Sequence, residues 1–139
     1  NIGFNKDNIY NFNFMILIII TFDIFSYVIG TKYGSTKILK TISPKKTLEG
    51  LVGGIIFSLL FSISLIILFK NEINLPIILF ILIIIFSSFT GDIIESYFKR
   101  INNLKNSSNF LPGHGGFFDR FDSLIFSMIP YTVFSNILL

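Results

Sequence analysis

Apolar and polar positions fall in long blocks along this chain. Residues 14–30 are apolar apart from Asp23, residues 51–69 carry no charge, residues 75–94 carry only Asp92 near their end, and residues 123–139 are again uncharged. Nineteen residues of helix rise ~28 Å, close to the ~30 Å hydrocarbon core of a bilayer. The apolar character has no polar face, unlike that of an amphipathic surface helix. The pattern predicts an all-α, polytopic integral membrane protein with four transmembrane helices in a single domain over residues 1–139. A secretory signal peptide explains the first block poorly, because no small-residue cleavage site follows it and three more blocks do. Ser43-Pro44 predicts the start of the second helix, with Ser as N-cap and Pro in the first turn. Pro76 opens the third span and Pro130 is expected to kink the fourth. Gly50 and Gly54, with Gly53 beside them, leave room for a close partner helix. That partner is expected from a second copy of the chain in a homodimer, or from helices of a longer protein.

Composition supports the membrane reading. Hydrophobic residues make up 52% of 139 positions and charged residues 14%, against roughly 25% charged in an average globular chain; the mean hydropathy is +0.74. Disorder is excluded, since it requires low hydrophobicity and high charge. With no Cys and one His, a disulfide scaffold, a thiolate zinc site and a histidine-rich metal centre are excluded as well. There is no Ala and no Trp, and Ile, Phe, Asn and Lys crowd the chain. Many Ile and Phe positions therefore mean only "apolar". The first residue is Asn1, which suits a fragment or a processed product.

Charge sets the expected orientation. Lys32, Lys37, Lys40, Lys45 and Lys46 lie between the first two blocks, and Lys99, Arg100, Lys105 and Arg120 between the last two. Both basic loops fall on one side, which the positive-inside rule places in the cytoplasm. Lys45 and Lys46 read as topology signals or contacts to anionic lipid. Acids gather on the same side: Asp23, Asp92, Glu95, Asp119 and Asp122 are five of the eight in the chain. Asp92, Glu95 and Lys99 are spaced i, i+3, i+7 and share a helix face; Asp119 and Asp122 are spaced i, i+3. Carboxylates this close need a compensating cation, and an all-oxygen set selects a hard ion such as Mg²⁺, which completes its shell with water and phosphate oxygens. Neighbouring Lys and Arg suit those phosphates. The set points to phosphoryl or nucleotidyl transfer between a water-soluble and a lipid reactant. The loop Leu111-Pro112-Gly113-His114-Gly115-Gly116 can approach a ligand closely and offer backbone N–H groups to an anion. Phe117, Phe118 and Phe121 read as interface and core residues.

The stretch Gly91-Asp92-Ile93-Ile94-Glu95-Ser96-Tyr97-Phe98-Lys99-Arg100, then Lys105, then Pro112-Gly113-His114-Gly115-Gly116-Phe117-Phe118-Asp119-Arg120-Phe121-Asp122-Ser123, resembles the signature of the phosphatidate cytidylyltransferase (CDP-diacylglycerol synthase) family. Asp23 to Gly30 and Ser43-Pro44-Lys45-Lys46-Thr47-Leu48-Glu49-Gly50 also resemble family segments. The chain departs from the pattern at Asn106, where Asp is usual, and at Ser26, where Ala is common. The resemblance implies CMP transfer from CTP to phosphatidate, giving CDP-diacylglycerol and pyrophosphate, at the cytoplasmic face of a bacterial inner membrane. It implies Mg²⁺ at Asp92, Asp119 and Asp122, as one ion or two. Lys99, Arg100 and Arg120 would bind phosphates, and Lys105, Gly115, Gly116 and Ser123 would line the substrate site. Asp23 and Glu95 would orient lysines or hold water beside the substrate. Lys99 and His114 would join the three aspartates as catalytic groups, His114 as phosphate ligand or acid. The family carries further helices upstream, so the chain is expected to be the C-terminal part of a longer enzyme. Membrane lipid and CTP are the expected partners, and nucleic acid is not one.

Other readings share these residues. A CTP-dependent polyprenol or lipid kinase would use the same acids and lysines but move the γ-phosphoryl group. A transporter or proton-relay subunit would also carry intramembrane acids, although here they cluster at one face. An inactive remnant is the third reading.

Overall fold

The computed structural model describes residues 6–69, 72–102 and 118–138. Four helices, α1 (Lys6–Tyr33), α2 (Leu48–Leu68), α3 (Leu75–Ile101) and α4 (Phe118–Leu138), form the bundle, and a short antiparallel pair, β1 (Lys37–Leu39) and β2 (Ser43–Thr47), joins α1 to α2. The fold is that of an all-α polytopic membrane protein with one small hairpin at one end. Three helices, Ile9–Tyr33, Leu48–Leu68 and Leu75–Ile101, are long and apolar enough to cross a membrane. Among the described residues the apolar part of α4 is shorter, Asp122–Phe134, and its helix runs through Pro130.

The expected start of the second helix at Ser43-Pro44 is not observed. Ser43–Thr47 is a strand, with Leu39 opposite Ser43 and Lys37 opposite Thr47. Proline is tolerated there because it lacks only a donor that an edge strand can forgo. The N-cap is Thr47, in extended backbone, whose hydroxyl accepts the Gly50 N–H at 3.2 Å. Glu49 sits in the first turn, where the helix dipole favours an acid. Its carboxylate accepts from Ser35 Oγ at 2.6 Å and from the Thr36 N–H at 3.1 Å, and the Leu48 N–H donates to the Thr36 carbonyl. These bonds tie the end of α1, the hairpin and the start of α2 into one unit. At the opposite end Asn74 caps α3 by accepting the Ile77 N–H at 3.0 Å, and Pro76 lies in the first turn as the sequence predicts.

α1 packs most extensively on α2, and α3 on α4. The α2 face toward α1 carries small residues every fourth position: Gly50, Gly54, Ser58 and Ser62, all buried. A Cβ at Gly50 would stand 2.6 Å from the Ser26 carbonyl oxygen and 3.0 Å from the Gly30 Cα. The backbones touch, so the partner of the glycine pair is α1 of the same chain. Ser58 and Ser62 return their hydroxyls to the Gly54 and Ser58 carbonyls, each at 2.7 Å, and so enter this seam without an unsatisfied donor. The apolar core joins Met15, Ile18, Ile19 and Phe22 of α1 to Ile81, Ile84 and Ile85 of α3, with Ile66 of α2. Each main set recurs at helical spacing. Large apolar side chains such as Leu60, Phe86 and Ile129 are exposed on the outside, as a lipid-facing surface requires.

Candidate active site

The residues that carry chemistry meet at the hairpin end of the bundle. Asp92 and Glu95 lie one turn apart near the end of α3, and Asp122 lies in the first turns of α4. One carboxylate oxygen from each comes within 4.8 Å of the others. Gly91 makes this approach possible. A Cβ there would stand 2.7 Å from the Phe126 Cβ and 3.0 Å from the Asp122 carbonyl oxygen, so any larger residue would push α4, and Asp122 with it, away from Asp92.

Two lysines close on the acids from different elements. Lys46, on β2, places Nζ 2.8 Å from Asp92 Oδ2. The same ammonium lies 4.5 Å from the centre of the Phe89 ring and 3.5 Å from the Phe89 carbonyl oxygen. Phe22 packs edge-on behind that ring, with centroids 6.4 Å apart, so the lysine rests on a fixed aromatic face. Lys99 donates to Glu95 Oε2 at 2.8 Å from one turn further along α3, and both side chains are only 16% exposed. Ser96 Oγ lies 3.5 Å from Asp92 Oδ1, and the Ser123 N–H donates to Asp122 Oδ1 at 2.7 Å. Asp122 is within electrostatic reach of Asp92 and Lys99. Asp23, exposed on α1, is within reach of Asp92, Asp122 and Lys46.

Charge explains what this arrangement can do. Two carboxylates 4.8 Å apart repel by ~3 kcal/mol at an effective dielectric of 20. Among the described residues the set comprises three carboxylates and two ammonium groups. The donors are all oxygens, the chemistry that suits Mg²⁺. Asp92, Glu95 and Asp122 could hold such an ion, and Lys46 and Lys99 lie beside them.

Of the positions singled out in the sequence, Asp23, Asp92, Glu95, Lys99 and Asp122 come together. Arg100 is exposed and its Nε donates to the Ile42 carbonyl at 3.2 Å, bracing the hairpin against α3. Ser123 is buried and sits beside Asp122. The backbone of Asp119 and Arg120 belongs to α4, but their side chains lie outside the described residues, as do Lys105, His114, Gly115 and Gly116 altogether. Glu95, a supporting residue in the sequence reading, stands in the described carboxylate group with Asp92 and Asp122. Lys46 is the residue that reading undervalued. Beyond a topology signal or a contact to anionic lipid, it is an ion-pair partner of Asp92. Its place in the segment Ser43–Gly50 was the available signal.

A family model described as the cytidylyltransferase family matches residues 2–138. The phosphatidate cytidylyltransferase of Staphylococcus haemolyticus is 42% identical over 124 residues, covering 87% of this chain and 47% of that protein. That of Bacillus subtilis is 41% identical over 112 residues, 78% of this chain and 40% of that protein. That of Aquifex aeolicus is 42% identical over 106 residues, 76% and 39%. The chain thus spans less than half the length of these curated relatives.

Proposed function

Because the chain belongs to the cytidylyltransferase family, we propose that it carries the reactive site of an enzyme that transfers CMP from CTP to phosphatidate, giving CDP-diacylglycerol and pyrophosphate. The observation that carries this reading is the meeting of Asp92, Glu95 and Asp122 with Lys46 and Lys99 at one end of an apolar bundle. A lipid phosphate held at that end has its tail in the membrane and its headgroup beside the acids.

An oxygen of the lipid phosphate attacks the α-phosphorus of CTP; the bond from that phosphorus to the bridging α–β oxygen breaks, and pyrophosphate leaves with the electron pair. The second pKa of a phosphate monoester is near 6, so the nucleophile is already ionised and needs no general base. Lys46 and Lys99 bind phosphate oxygens and oppose the charge that gathers on them, the term expected to dominate such a transfer. Asp92, Glu95 and Asp122 would hold Mg²⁺, with Asp119 as the family resemblance implies, and the ion would supply further positive charge at the triphosphate. Asp23 holds water or orients Lys46. The basic hairpin end faces the cytoplasm of a bacterial inner membrane, in keeping with the positive-inside rule.

The test is incorporation of label from CTP into lipid in detergent–phosphatidate micelles with Mg²⁺. Label at the α-phosphorus is expected in the lipid, and label at the γ-phosphorus is not. Transfer of γ-label would replace this reading with a lipid kinase. No transfer by the folded chain, alone or with the remaining length of a relative supplied in trans, would overturn it.

A further inference from the structure

A crevice of about 450 Å³ runs between α2 and α3 and is apolar along its length. Leu51 and Ile55 of α2 line it, with α3 from Leu79 through Leu82 and Phe86 to Phe89. Ten residues of helix rise ~15 Å, about half the hydrocarbon core. The space is long and apolar enough to seat an extended hydrocarbon chain. Its headward end is Phe89, the ring under Lys46 Nζ. One residue is thus both the wall of the crevice and the seat of a lysine at the acidic site. An apolar slot ending at a cation is the complement of an amphiphile with an anionic head.

We propose that this crevice holds one acyl chain of the lipid substrate, with its headgroup phosphate at Lys46. The assignment rests on the cytidylyltransferase reading for the identity of the lipid, but the labelling that tests it needs no turnover. The slot fixes the depth of the lipid, and Lys46 fixes the height of the phosphate beside Asp92, so the reacting oxygen arrives at the carboxylate site by geometry. Phe89 couples the two ends, since displacing its ring would move the lysine.

The experiment is photolabelling of the chain in micelles, without CTP, by a phosphatidate bearing a diazirine at mid-chain. A phosphatidylcholine with the same chains is the control. Labelling is expected within residues 79–89 and 51–55. Phosphatidate should exceed phosphatidylcholine about tenfold, because its monoester phosphate offers the lysine a second negative charge and carries no choline cation. Lys46→Met should abolish that preference. Leu82→Trp, which fills the slot, should reduce labelling and raise the KM for long-chain phosphatidate about tenfold, the scale of a steric change in an apolar pocket, without moving the KM for CTP. Leu60→Trp, on an exposed part of α2 outside the crevice, should change neither. Equal labelling by both lipids would mean bulk lipid only and would overturn the proposal, as would labelling elsewhere or an unaffected Leu82→Trp. A chain that labels as expected but transfers no CMP would refute the activity and leave the lipid slot standing.

Discussion

Asp92 meets Lys46 of β2, Glu95 and Ser96 of its own helix, and Asp122 of α4. The roles of the three carboxylates are separable by substitution. Asp122→Asn removes one negative ligand but preserves the shape of the side chain. CMP transfer should fall by about 10² or more, on the scale of losing one preorganised charge contact in a transition state, while helicity measured by circular dichroism stays unchanged. The Mg²⁺ concentration for half-maximal rate should rise in the same variant, and chelation with EDTA should abolish transfer by the wild type. Glu95→Gln also releases Lys99 from its 2.8 Å ion pair, so its KM for CTP should change as well as its rate. At Lys46, arginine keeps the charge and methionine keeps only the stem. Lys46→Arg should therefore retain part of the activity lost in Lys46→Met, measured as kcat/KM for phosphatidate. The shared face of Asp92, Glu95 and Lys99 was legible in the sequence because spacing along a helix is a local property. The contact of Lys46 was not, because its partner lies on α3; its place in the segment Ser43–Gly50 marked the residue but not the partner.

Two glycine contacts govern how the helices meet. Gly54 faces Phe22 and Ser26, where a Cβ would stand 2.8 Å from the Ser26 Cβ. Gly54→Leu should cost roughly 1–3 kcal/mol or more through overpacking, read as a lower melting temperature in detergent. Gly91→Ala makes a different prediction. Its Cβ intrudes between α3 and α4 beside the acids, so activity should fall further than stability does. Comparing the midpoint of thermal unfolding with kcat for the two variants separates a packing seam from a site-positioning contact. The glycine spacing was visible in the sequence, but the identity of the partner helix was not. The α2 start shows the same division. Ser43-Pro44 and Thr47 both carry cap chemistry, and the choice fell to Thr47 because residues 37–39 offer Ser43–Thr47 a strand to pair with.

The whole molecule is an apolar bundle with its reactive groups and its hairpin at one end. The topology is directly testable because the chain has no cysteine. A single cysteine replacing the exposed Lys40 of the hairpin should react with a membrane-impermeant maleimide only after the cells are opened. One replacing Ile73, in the connection at the opposite end, should react in intact cells. The reverse pattern would invert the orientation and place the carboxylates on the wrong side for CTP.

The sequence by itself determined that the chain lies in a membrane, which segments form its long helices, and where along them its carboxylates and basic residues gather. Hydropathy sums over consecutive residues, and helix-face spacing is fixed by the backbone, so each is readable within one segment. Only the tertiary structure decided that α1 covers the glycine face of α2, that Thr47 caps the helix, that Lys46 closes on Asp92 over the Phe89 ring, and that a slot opens between α2 and α3 below it. Each depends on which surfaces come together across the fold, and that is set by the packing of the whole bundle, not by any one stretch of residues.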